Sequence, residues 1–291
     1  HPFGTVIIRT LAALPNLARL ALTFASVWED RQNLIPLGEF KGLRSLRLDD
    51  MPTFPFILDG VSKIIDQSPA IEDFAVRIRS CGDHTTPRYN IDIRDFLSSD
   101  PNPTSPGASG ISRMAGLKAL ASRGPAVLVT AACVPFLSSL TELELVAQLP
   151  PAEEQQFWSA MARHGINLKV VDVFPFTPSV VDYLCAYSGL QKLVLRWPTS
   201  QAGRNEINRK SVADHFFTQV LPRHRDTLMD WFSDHDELAG PGMEFWSISH
   251  RGLRALSKCK RLERMQLAYA IPLGLDEASP SPLTLVRFNR Q

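Results

Sequence analysis

One short pattern, apolar-x-x-apolar-x-apolar, recurs along most of the chain and restricts its fold more than any other feature of the sequence. It appears as Leu17/Leu20/Leu22, Leu43/Leu46/Leu48, Ile71/Phe74/Val76, Leu140/Leu143/Leu145, Leu168/Val171/Val173, Leu190/Leu193/Leu195 and Leu262/Met265/Leu267. Two poorer copies, Leu117/Leu120 and Leu228/Trp231, fill the gaps, so successive first positions lie 26, 28, 46, 23, 28, 22, 38 and 34 residues apart. The last two apolar positions of each copy alternate with polar residues, which is the period of a strand with one face buried. Ahead of most copies stands a stretch of helical periodicity, at 60–68, 151–165, 177–189, 211–224 and 247–259. Two of these open on Thr or Ser at an N-cap position, and Gly165 and Gly189 follow their helices where a left-handed cap is needed.

The unit is thus helix, tight turn, short strand. A unit of that size cannot bury both its helix stripe and its strand face, so units must stack, strand beside strand and helix beside helix. The expectation is one α/β solenoid over residues 1–291, of about nine irregular repeats, with a curved parallel sheet on its concave side and helices on its convex side. A doubly wound α/β sheet also alternates helix and strand, but its central strands are buried on both faces and read as continuously apolar. Here RSLRLDD and TELELV carry charge at alternate positions. Residues 98–110 hold three prolines, two glycines and four serines and read as a mobile insertion; 198–210 and 233–242 read as exposed loops.

Residues 248–267, ISHRGLRALSKCKRLERMQL, resemble the cysteine-containing leucine-rich repeat of F-box proteins, through Ile248, Gly252, Leu253, Leu256, Cys259, Leu262, Met265 and Leu267. The irregular remaining copies, and the phrase HFFTQVLPRHRDTL at 215–228, resemble the divergent leucine-rich proteins of fungi. The resemblance implies a right-handed leucine-rich-repeat solenoid that holds a substrate for a ubiquitin ligase. In that family an F-box binds the Skp1-type adaptor; no F-box is recognisable in these residues, so this partner is expected only if one precedes residue 1.

Charge excludes a general attraction to nucleic acid or anionic lipid. Thirty-one Lys and Arg stand against thirty Asp and Glu, a formal net charge of +1. The longest apolar runs stop short of the ~20 residues of a membrane span. Cys81, Cys133, Cys185 and Cys259 are scattered, with no CxxC pair, as expected of thiols in a reducing, intracellular compartment. The chain opens at His1 without a charged and then apolar leader, and reads as a fragment or processed product.

Candidate chemistry is sparse. Phosphate-cradle, zinc-protease and hydrolase-elbow motifs are absent, and neither a metal nor a cofactor is implied. Asp234-His235-Asp236-Glu237 is the richest polar cluster, but consecutive residues seldom converge on one ion, and it reads as a solvated loop. His84 and His215 read as loop and helix-surface residues, Cys259 and the five tryptophans as packing residues, with a partner-docking rim as the alternative reading of Trp197.

If the leucines of each copy point inward, the alternate residues form the concave face. That face is expected to present Arg19, Arg47, Asp49, Asp73 and Arg77, then Glu142, Glu144, Asp172 and Phe174, then Lys192, Arg196, Asp230, Phe232 and Arg264. Its acidic middle suits a protein partner or substrate of complementary charge and would repel a phosphate backbone. The alternative is an enzyme with a loop-borne acidic and histidine site near 233–242 or 98–110.

Overall fold

The computed structural model describes residues 2–24, 36–78, 91–98, 112–124, 127–146, 149–197, 206–235, 250–270 and 283–289. Most of the expected insertion, Trp28, Cys81, His84, Trp246 and residues 236–242 lie outside them. The chain divides into two compact units, His1–Ile166 and Asn167–Gln291.

In the first unit the pattern copies become β1 (Arg19–Thr23), β2 (Ser45–Met51), β3 (Asp73–Ile78), β5 (Ala119–Arg123) and β7 (Glu142–Val146), all parallel and neighbours in that order. A minor parallel pair, β4 (Ile91–Asp92) and β6 (Val127–Leu128), stands apart from them. The helices are α1 (Pro2–Ala12), α2 (Pro55–Asp66), α3 (Arg94–Leu97) and α4 (Pro151–Arg163), joined by 3-10 turns at Leu37–Glu39 and Ala131–Leu137. Helix α2 begins five residues before the periodicity suggested, because Pro55 at its first turn has a φ already suited to a helix and no N–H to lose. Its residues Ile57, Val61, Ile64 and Ile65 form one buried stripe, while Leu46, Leu48, Phe74, Val76, Leu143 and Leu145 bury one face of the sheet. Full burial of each such side chain contributes about 1.5–3 kcal/mol.

In the second unit β8 (Val170–Phe174), β9 (Lys192–Trp197), β10 (Asp230–His235) and β11 (Arg264–Ala270) are parallel, and β12 (Leu283–Asn289) closes the edge in the antiparallel sense. The helices are α5 (Pro178–Cys185), α6 (Glu206–His215), α7 (Leu221–His224) and α8 (His250–Leu256). Two loop readings are corrected. Residues 206–210 open α6 rather than ending a loop, and 233–235 continue strand β10. Between α6 and α7 the helix widens to a π-turn at Phe216–Val220. Pro222 has no N–H for the preceding turn, and the Thr218 hydroxyl donates to the Asp214 carbonyl at 2.7 Å; both loosen the regular ladder. The core is aromatic: the Phe216 ring meets Phe176, Phe217 and Trp231 at centroid distances of 6.0, 5.3 and 6.1 Å.

The repeats differ in length but not in how they join. The residue after each first apolar position presents its carbonyl to two successive amides of the next copy. Ala18 accepts from Arg44 and Ser45 at 2.8 and 3.1 Å, Arg44 from Glu72 and Asp73, Glu72 from Lys118 and Ala119, and Lys118 from Thr141 and Glu142. In the second unit Lys169 accepts from Gln191 and Lys192, Gln191 from Met229 and Asp230, and Met229 from Glu263 and Arg264. The first-position amide is also satisfied. Ile71, Leu117, Leu140 and Leu262 donate three residues back, whereas Leu43, Leu168 and Leu190 donate to a side chain one copy on: Ser68, Tyr183 and His224. Gly165 and Gly189, at φ of +65° and +110°, make the left-handed turns expected of them.

His224 is fully buried. Its Nδ1 accepts from Leu190 N–H at 3.2 Å, so the ring proton sits on Nε2, 3.0 Å from the Leu184 carbonyl. Desolvation, helped by Arg223, lowers its pKa. The unfolded chain therefore binds more protons than the folded one, and stability present above about pH 6.5 is lost as the pH falls toward the depressed folded value. Thermal melts are expected to show a midpoint that drops between pH 7.5 and 5. His224→Ala should lower stability by about 2 kcal/mol at pH 7.5 and flatten that pH dependence. The Ser122 hydroxyl, by contrast, is fully buried without a partner among the described residues, at a position where seven of the other copies carry Leu or Val. Ser122→Ala should raise stability by about 1 kcal/mol, read as a higher denaturation midpoint.

Candidate functional site

A parallel sheet is ordinarily covered on both faces. In both units one face is buried and most alternate residues of the strands stay open to solvent in whole or part: the burial of β3, β7 and β8 alternates residue by residue, whereas Val194 on β9 is buried. Thirteen of the fourteen residues expected on this face are exposed or half-buried. Asp230 is the correction: its side chain is 8% exposed and lies beneath Arg264, which is 58% exposed.

The face is laced by bidentate arginine–carboxylate pairs. In the first unit Arg123 grips both oxygens of Glu144, with Nη2 2.7 Å from Oε2. Asp49 takes Arg47 Nε at 2.9 Å and lies 3.9 Å from Arg77 Nε, and the Ser45 hydroxyl donates to Asp73 at 2.8 Å. In the second unit Arg196 holds Asp172 through Nε and Nη2 at 2.7 and 2.8 Å, and Arg264 holds both oxygens of Asp230. Lys192 Nζ stands 5.8 Å over the Phe232 ring. Planar forks of this kind fix long side chains in one geometry. The pairing explains why the guanidinium groups of Arg47 and Arg264 are held above their ordinary pKa, each by the hydrogen bond and charge of its carboxylate.

Thus the acidic middle of the face is partly neutralised. Arg123, which does this for Glu144, was not among the expected residues. It follows the weakest copy of the pattern, in which Ser122 stands at the third apolar position and hides the alternation. Small residues Ala21, Ala75, Ala119 and Ala121 stand between the charges on outward positions of the first unit.

Away from this face several of the large and sulfur-bearing side chains are packing residues. Trp158, Trp231, Cys133 and Cys259 are buried, with the thiols of Cys133 and Cys259 pushed up to about 12 and about 11, mainly by desolvation. Cys185 is half-buried, its Sγ 3.8 Å from His215 Nε2, and burial raises its thiol as well, which keeps it a weak nucleophile near neutrality. Among the described residues no group of three or more His, Cys, Asp or Glu could hold a metal ion, and no helix is long and apolar enough to cross a membrane. Asp234 and His235 lie in β10, whereas Asp236 and Glu237 fall outside the described residues.

No family model matches the chain, and no curated protein is significantly similar to it.

If the forks order the face, Arg196→Ala should lower stability by about 1 kcal/mol, because the Asp172 side chain it leaves is only 14% exposed. Arg196→Lys should recover less than half of the loss in urea unfolding, since a lysine cannot form the two-pronged contact.

Proposed function

We propose that this chain is a non-enzymatic recognition scaffold: a leucine-rich-repeat solenoid that holds a partner or substrate protein on its open strand face. The observation that carries this reading is the strand face that the described residues leave largely open, with its ordered, paired charges. A rigid face presenting fixed charge and half-buried Phe174 and Phe232 suits protein surfaces of complementary sign. The solenoid reading is supported by the invariant junction, in which one carbonyl takes two amides at each of four joins in the first unit and three in the second. The resemblance of residues 248–267 to the F-box protein repeat extends the proposal to the substrate-holding part of a ubiquitin ligase adaptor, with a Skp1-type adaptor as second partner if an F-box accompanies these repeats. Free Cys133, Cys185 and Cys259 support a reducing, intracellular site of action.

The test is affinity capture with quantitative mass spectrometry on the wild type and on two folded variants. Arg47→Glu with Arg196→Glu inverts charge on the open face, while Lys63→Glu changes an exposed residue of α2. The expected outcome is at least ~10-fold loss of specific partners in the face variant alone. An unchanged bound set in the face variant would contradict the proposal.

A further inference from the structure

One register row of the first sheet runs Arg19, Ser45, Asp73, Ala119, Glu142, one residue from each of the five strands. Its interior is satisfied: Ser45 and Asp73 bond to each other, and Ala119 has no polar group. Its two ends are not. Arg19 and Glu142 are both exposed, and neither side chain has an ion-pair or hydrogen-bond partner among the described residues. Opposite charges therefore stand at the two ends of one row, separated by four strand spacings of about 4.8 Å each, or about 19 Å. The next row, Ala21, Arg47, Ala75, Ala121, Glu144, has the same polarity from Arg47 to Glu144 across the two alanines Ala75 and Ala121, with Arg47 and Glu144 already engaged by Asp49 and Arg123.

Resting on the recognition reading above, we propose that the first unit binds an extended protein segment lying across its strands, with a carboxylate against Arg19 and an amine or guanidinium against Glu142. An extended chain advances about 3.3 Å per residue, so about 19 Å corresponds to an acidic and a basic side chain about six residues apart. The alanine floor lets the segment approach the sheet, and the neighbouring forks hold the flanking side chains out of its path, which reduces the ordering cost on binding. A polyanion does not fit, because Glu142 meets it at one end of the row.

The probe is an array of synthetic Ser/Gln/Ala peptides carrying one Asp pair and one Lys pair separated by two to ten residues, with all-acidic and all-basic controls. It is read with the full chain and with Arg19→Glu, Glu142→Lys and the double swap, each checked for folding by circular dichroism. Signal should peak near a separation of six residues. It should fall ~5-fold or more in each single variant and return in the double swap, in which the segment binds in the reverse direction. A flat separation profile, or a double swap no better than the single variants, overturns the inference. The capture experiment above then separates the two readings: loss of partners in the Arg47/Arg196 face variant leaves recognition standing with a different occupant, and an unchanged set removes the recognition reading itself.

Discussion

A backbone carbonyl that accepts two amides of the following copy is the contact on which the rest of the structure depends. It falls at the same position at four joins in the first unit and three in the second, one residue after the first apolar position, and it fixes where the next strand starts. Because side chains alternate along a strand, a slip of one residue would turn every leucine outward and every arginine inward. The leucines supply the free energy, and this hydrogen bond decides how that energy is arranged. Segments of very different length can therefore intervene between copies without changing the sheet. Gaps of 22 to 46 residues separate the first positions, yet the junction is unchanged.

The open face follows from the same constraint. Strands locked in register bring acidic and basic outward residues of adjacent copies within reach, and the arginines reach diagonally or directly across to them. The result is a surface of paired charges in fixed geometry, where the Arg19 and Glu142 side chains stand without a partner among the described residues. Asp230 shows the cost of the arrangement: it is a buried carboxylate whose two oxygens are both held by Arg264. On the reading proposed above, fixed and paired charges of this kind are what a complementary protein surface would meet.

Much of the strand content was legible in the sequence, since all nine pattern copies became parallel strands and even the poor copies GLKALAS and TLMDWFS fell where expected. Period-two burial is a strong signal when leucine and valine mark it. What was missed had weaker or conflicting signals. Helix α1 carries exposed Val6 and Ile7, 62% and 56% accessible, so no polar face announced it. Strand β12 lacks the first-position residue that identifies the parallel copies, and its antiparallel sense depends on chain reversal rather than on local pattern. Residues 206–210 are charged and polar enough to read as a loop, yet they open a helix. The period of two marked the alternate positions, of which Asp230 and Val194 are buried, but it could not show which of them neutralise each other. Pairing depends on side chains reaching between copies, and Arg123 and Glu144 are joined only once β5 and β7 lie side by side.

Adjacent residues of β5 offer the most direct test of the register. Ala121 is outward and half-buried, while Ser122 is inward and fully buried, and cysteine replaces either with little change of volume. The measurement is the rate of maleimide labelling of Ala121→Cys and Ser122→Cys in the native chain, read thiol by thiol through peptide mapping. The account predicts that Cys at 121 reacts at least ~100-fold faster than Cys at 122, whose exposure requires local opening of the strand. Equal rates, or the reverse order, would contradict it.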